Sequence, residues 1–162
     1  QAYALYNHHI IRDRIFAILK KLCKAKCPES IFTTHNYISV CGEYPMLRKG
    51  AVAAPEGERF CLPFNMRDGI AVCVGKGNPE WNCSAPHGAG RAMSRNAARK
   101  NIGMEEFEKS MNGIFSTSVC SGTLDESPQA YKPTEEILRL IEPTAEVITL
   151  VRPRLNIKDI PK

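Results

Sequence analysis

The residues best suited to chemistry in this 162-residue chain lie between Cys83 and Arg99. One histidine, His87, abuts a Gly88-Ala89-Gly90 turn, and Arg91, Arg95 and Arg99 follow at intervals of four. Glycine adopts backbone conformations closed to other residues and has no side chain to hold a ligand off, so consecutive N–H groups in such a turn can converge on an anion. Arginines at that interval predict a basic face on one helix running to about Lys100, where like charges repel by roughly 0.2–0.5 kcal/mol per pair unless an anion relieves them. No carboxylate lies between Glu80 and Glu105, so polyphosphate or nucleic acid is the expected partner, matched by guanidinium forks two oxygens at a time. The same residues also suit an ordinary turn before a basic helix, and a lone histidine also serves structure. Spacing alone leaves both readings open.

Other candidates are weaker. Cys83 would reach His87 as a nucleophile only on a helix, which Pro86 opposes. Gly75-Lys76-Gly77-Asn78 has neither Walker nor Rossmann spacing, which excludes a P-loop. Cys23 and Cys27 make half a metal site at most, and the adjacent His8 and His9 point apart on a helix. His35 sits within a β-branched stretch, where a satisfied core histidine is the default and a metal ligand the alternative. Asp125 and Glu126 are a carboxylate pair with nothing adjacent in sequence to perturb them.

These groups need a scaffold. With 43% hydrophobic residues and a net charge of +5, the chain has the makings of one ordinary domain with a buried core. From Tyr3 to Lys26, Ile11, Ile15, Ile18, Leu19, Leu22 and Cys23 recur at helical period opposite Arg12, Asp13, Lys20, Lys21 and Lys24, predicting an amphipathic helix stopped near Pro28. Ile31 to Cys41 reads as extended, Gly42 and Pro45 as a turn, and Met46 to Ala51 as a short strand carrying Arg48 and Lys49. Phe60 to Leu62 and Ile70 to Val74 read as strands flanking a polar loop from Pro63 to Gly69. Met104, Phe107 and Met111 mark a core-facing helix, Ile114 to Val119 is β-rich, Thr134 caps a helix through Ile141, and Val147 to Val151 is a strand. Strands and helices mix without regular βαβ alternation, so the class is α+β. Seven cysteines without metal-type pairs indicate a reducing, intracellular compartment, the cytoplasm. No apolar stretch nears the ~20 residues that span a bilayer, and no signal peptide is evident.

Five motifs in one order resemble the RtcB-type RNA-splicing ligases over nearly the whole chain. They are Thr34-His35-Asn36-Tyr37, Arg48-Lys49-Gly50-Ala51, Gly75-Lys76-Gly77-Asn78, Ser84-Ala85-Pro86-His87-Gly88-Ala89-Gly90-Arg91 through Ser94-Arg95, and Asp125-Glu126 through Tyr131-Lys132. The resemblance implies an RtcB-like ligase fold, with residues 1–162 the C-terminal portion of a single domain. It implies an enzyme that uses GTP and Mn2+ to join RNA 3′-phosphate or 2′,3′-cyclic phosphate ends, tRNA halves among them, to 5′-hydroxyl ends. His87 takes the position of the guanylylated histidine, whose imidazole nitrogen receives GMP from the GTP α-phosphate and passes it to the RNA 3′-phosphate. Gly88, Ala89 and Gly90 become backbone donors, and Arg48, Lys49, Arg91 and Arg95 become phosphate or RNA contacts. By the same matching His35 is a manganese ligand, Asn36 lies beside the nucleotide, and Pro63, Phe64, Asn65 and Met66 form a nucleotide-binding loop. Tyr131 lies beside the guanine and Lys158 is the terminal guanine-binding lysine.

The chain departs from the family's better-known branch at Phe64 and Asn65, where that branch has Pro-Gly-Ser-Met, and at Ile70, where it has a second serine. Asn65 retains hydrogen-bonding capacity and Ile70 does not, which bears on guanine selection. The family's other metal ligands, an aspartate, a cysteine and further histidines, precede the matched region. The expectation is a chain weak or inactive alone, with the upstream half of the ligase as its partner. The alternative is a non-catalytic RNA- or nucleotide-binding remnant that keeps the glycine turn and Arg91 and Arg95.

Overall fold

Period-two burial frames the site. In the computed structural model, which describes residues 1–40 and 44–159, β3 (Arg59–Pro63) buries Phe60 and Leu62, and β4 (Ile70–Gly75) buries Ala71 and Cys73. These strands pair antiparallel, Leu62 opposite Ala71, and β6 (Ala145–Val151) adds to the far side of β4. A second three-stranded antiparallel sheet has the order β1 (His35–Ser39), β2 (Met46–Ala53), β5 (Ser84–Pro86). The helices α2 (Arg95–Asn101), α3 (Met104–Ser110) and α4 (Thr134–Leu140) complete an α+β architecture.

Two apolar clusters hold this unit together. One unites Val52, Phe60, Leu62, Phe64, Ala85 and Ala89 with Ile137 of α4 and Ile141 at its C-cap. The other packs Met66 against Ala98 of α2, Phe107 of α3, Leu124 and Ala130. Tyr131 packs against both, and the loop between β3 and β4 sends Phe64 into one cluster and Met66 into the other. The loop is therefore pinned at the seam between the two cores, and the cleft described below opens there.

Contacts divide the chain into two units, Gln1–Ile31 and Phe32–Lys162. The first is built on α1 (Ala2–Cys23), which ends earlier than the periodicity predicts because Lys24 turns left-handed at φ 53°. Its apolar stripe buries no residue, with Ile15 and Leu22 exposed. None of the described helices is long and apolar enough to cross a membrane.

Three other expectations are corrected. The extended run from Ile31 forms a strand only from His35 to Ser39, while Cys41 and Gly42 lie outside the described residues. Ile114 to Val119 forms no strand, only a single bridge from Phe115 to Leu155. Pro133, not Thr134, is the N-cap of α4, and the Thr134 hydroxyl donates to Asp68 at 2.8 Å.

Candidate functional site

A β-bulge places His87. The β1–β2 register shifts between His35 and Tyr37, where Asn36 adopts φ 55° and its Oδ1 accepts the Gly50 N–H at 2.9 Å. Gly50 is itself left-handed, and its carbonyl accepts the His87 N–H at 3.3 Å as the chain leaves β5. His35 and His87 thus stack with ring centroids 5.2 Å apart and planes 9° from parallel. Cys83 has no part in this: its thiol donates to the Gly77 carbonyl, and extended β5 separates it from His87.

The glycine turn is tied down on both sides. Ala89 donates to the Pro63 carbonyl at 3.0 Å, so of the expected backbone donors only those of Gly88 and Gly90 remain to face a ligand. A Cβ on Gly88 would lie 3.1 Å from the same carbonyl, which is why a small residue is needed there. Gly90 has φ +71°, its carbonyl accepts from Lys132, and Ala92 donates to Ala130, so the turn is laced to the Tyr131 segment.

The loop from Pro63 to Gly69 presents backbone more than side chain. Asn65 Oδ1 accepts from the Arg67 and Asp68 N–H groups, and Nδ2 donates to Asp68 Oδ2 at 2.8 Å, so its amide is largely spent inside the loop. Burial works against the Asp68 carboxylate, but hydrogen bonds from Arg67, Asn65 and Thr134, with the Arg67 charge, outweigh it and hold its pKa down at about 2.

The expected three-arginine helix face is corrected. Ser94 caps α2, its Oγ accepting from Ala97, so the helix starts at Arg95 and Arg91 precedes it in a bridge opposite Tyr131. The counter-charge comes from Asp125 and Glu126. Arg91 donates to the Asp125 carbonyl at 2.6 Å and to Glu126 Oε1 at 2.7 Å, and lies 5.1 Å from the Tyr131 ring centroid. Arg99 pairs with Asp125 at 3.1 Å, and Arg95 lies 3.9 Å from both carboxylates. Glu126 Oε2 accepts from Tyr131 at 2.8 Å and Lys158 at 2.9 Å. Burial opposes the Glu126 charge, yet these hydrogen bonds and the charges of Lys158 and Arg91 hold its pKa below the usual carboxylate value. Burial, then the hydrogen bond to Glu126 and its charge, push the Tyr131 phenol up to about 12. Buried Ser118 fixes Lys158 from behind, its Oγ donating to the Lys158 carbonyl and accepting its N–H.

A cleft of about 1060 Å³ gathers most of the residues singled out by sequence. Pro63, Phe64, Asn65, Met66, Ile70, His87, Gly88, Ala89, Gly90, Arg91, Arg95, Tyr131 and Lys158 all line it. Asn36, Arg48 and Lys49 do not, and His35 meets it only through its stack on His87. Arg48 is buried, donating to Ser39, Ser84 and the Asn82 carbonyl, with Tyr37 beneath it. Those bonds engage its guanidinium within the fold, and Lys49 is exposed on the same strand. Sequence reasoning missed Ser118 and the hub role of Asp125 and Glu126, and it placed Arg99 on the basic face without its carboxylate partner. The acidic pair was its own signal, and only the fold shows which cations it meets. Among the described residues no three His, Cys, Asp or Glu side chains stand close enough to hold a metal ion. Among the described residues His35 belongs to no such cluster, so these residues do not by themselves fit a manganese site.

An imidazole, a glycine turn, arginines and a lysine share the lining of one cleft in an α+β protein, a donor set of the kind that phosphate oxygens accept from. The chain belongs to the RtcB family: the family model described as tRNA-splicing ligase RtcB matches residues 1–159. The RNA-splicing ligase RtcB of Escherichia coli strain K12 is 32% identical over 149 residues, covering 85% of this chain and 36% of that protein. RNA-splicing ligase RtcB1 of Escherichia coli strain ATCC 25922 is 30% identical over the same shares. The chain therefore spans about 36% of the length of these relatives.

Proposed function

We propose that this chain carries the nucleotide-transfer site of a GTP- and manganese-dependent RNA ligase, joining RNA 3′-phosphate or 2′,3′-cyclic phosphate ends, including those of tRNA halves, to 5′-hydroxyl ends. The observation that carries this reading is the placement of His87 on the cleft, between the His35 ring and a glycine turn, with arginines and Lys158 on the same lining. A neutral His87 nitrogen attacks the α-phosphorus of GTP, a phosphoramidate bond forms, and pyrophosphate leaves with the electrons of the broken P–O bond. GMP then passes to an oxygen of the RNA 3′-phosphate, and the imidazole is released. The 5′-hydroxyl attacks the activated RNA phosphate, loses its proton and expels GMP.

The protein's contribution is placement and charge. Backbone donors of Gly88 and Gly90 and the nearby guanidiniums offset phosphate charge as the group moves. Tyr131 presents an aromatic face for a base, and Lys158 a donor for guanine O6. With Ile70 in place of a hydroxyl, guanine selection falls to Lys158 and the backbone of the 63–69 loop. Manganese, when bound, would neutralise phosphate and orient the attack. His35 supplies one ligand, and the others come from outside the residues described.

The test is incubation with α-labelled GTP and Mn2+, alone and with the upstream part of a relative supplied in trans. An acid-labile, alkali-stable adduct absent in His87→Ala supports the assignment; label that persists in that variant rejects it. The lack of a three-ligand cluster among the described residues favours a second reading, an RNA- or nucleotide-binding remnant without covalent chemistry. That reading predicts salt-sensitive RNA affinity with no adduct even after complementation.

A further inference from the structure

The cations that follow the glycine turn are not equivalent. Arg91 is committed: Nη1 donates to the Asp125 carbonyl, Nη2 donates to Glu126, and its guanidinium carbon lies 5.1 Å from the Tyr131 ring centroid. Its side chain is only 24% exposed. Arg95 is 66% exposed and stands 3.9 Å from the nearest oxygens of Asp125 and Glu126, beyond hydrogen-bond range. Bringing Arg91 onto a ligand breaks two charge-assisted hydrogen bonds and a cation–π contact, whereas Arg95 gives up only a loose attraction.

Glu126 enforces the difference. Its second oxygen is held by Tyr131 and Lys158, so it cannot follow Arg91 outward without releasing both. The backbone repeats the connection, since Arg91 bridges to Tyr131 and Lys132 donates to the Gly90 carbonyl. Resting on the reading of the cleft as a phosphate site, we propose that Arg95 grips the ligand phosphate, and that Arg91 is a positioning residue, locked by Glu126, that holds Tyr131 and the glycine turn in register.

Calorimetric titration of the whole chain with pyrophosphate tests this without the covalent step, so a failed GTP labelling experiment leaves it intact. Arg95→Gln is expected to weaken pyrophosphate by about tenfold or more, the loss of one charge-assisted contact, with an unchanged melting temperature. Arg91→Gln is expected to lower the melting temperature, and Arg91→Lys, which keeps the charge if Gln does not fold, to retain most of the affinity. In the Arg95→Gln background carrying Lys158→Gln, so that Arg91 is the cation released, Glu126→Gln frees Arg91 and restores affinity several-fold. Asp159→Asn removes the same charge from the cleft lining without touching the Arg91 hydrogen bonds, and restores less. Equal loss in Arg91→Lys and Arg95→Gln at unchanged melting temperature overturns the division, as does equal rescue by Glu126→Gln and Asp159→Asn. If the unaltered chain does not bind pyrophosphate, the phosphate reading of the cleft falls with it.

Discussion

Asp68 is the brace of the loop that rims the cleft, and removing its charge should loosen that loop in a way that pH reveals. Its carboxylate accepts from Arg67 at 2.7 Å, Asn65 at 2.8 Å and Thr134 at 2.8 Å, tying the β3–β4 loop to the first residue of α4. Folding lowers its pKa from 3.8 to about 2. A fully buried group with that gap would contribute about 2.5 kcal/mol. The side chain is 21% exposed and its Arg67 partner 47%, so solvent screening reduces this to ~1–2 kcal/mol. Because the folded pKa lies below the unfolded one, the contribution is full above about pH 4 and is lost as pH falls through the folded value near 2. Urea denaturation of Asp68→Asn beside the unaltered chain, followed by far-ultraviolet circular dichroism from pH 7 to pH 2, should show a stability gap of ~1–2 kcal/mol that holds to about pH 4 and has largely narrowed at pH 2. A gap that persists unchanged at pH 2, or no gap at pH 7, refutes the brace.

Three further outcomes follow from the same packing. Gly69→Ala drives a Cβ into the Val151 carbonyl at a φ of +83°, so β4 and the Pro153 segment must separate; a thermal melt should show a loss of roughly 2 kcal/mol or more. Ser118→Ala removes both hydrogen bonds that fix the Lys158 backbone, which should cost ~1–2 kcal/mol in urea and weaken guanosine nucleotide binding more than pyrophosphate binding, by equilibrium titration with each. Asp125→Ala strips Arg99 of its close partner; with Asp125 4% exposed but Arg99 49% exposed and able to rehydrate, the loss in chemical denaturation should be ~1–3 kcal/mol, below that of a fully buried pair.

The strands that frame the cleft were legible because their period and their punctuation agree. Phe60 and Leu62, then Ala71 and Cys73, alternate inward, and the proline, asparagine and glycine between them can only turn. Met104, Phe107 and Met111 likewise fall on the core side of α3 or just past it. Ile114 to Val119 misled because β-branched composition favours a strand only where a partner edge is free, and there a single bridge to Leu155 is formed. Thr134 misled for a different reason. Its hydroxyl is good capping chemistry, but a carboxylate 66 residues away offers it a stronger partner than the first turn of α4.

The site itself was half legible, and the missing half is electrostatic. Residue types at His87, Gly88 and Gly90 are tied to local geometry, so a short stretch of sequence records them. Charge balance is not local: Arg91, Arg95 and Arg99 look unopposed over the residues around them, yet the fold returns Asp125 and Glu126 to them from 26 to 35 positions away. The cleft lining then holds four cations, Arg91, Arg95, Arg99 and Lys158, against three carboxylates, Asp125, Glu126 and Asp159. A surplus that small does not draw phosphate by bulk charge. What remains for a ligand is a question of which donors are still free after the internal pairing, and Arg95 is the arginine there without a close acceptor.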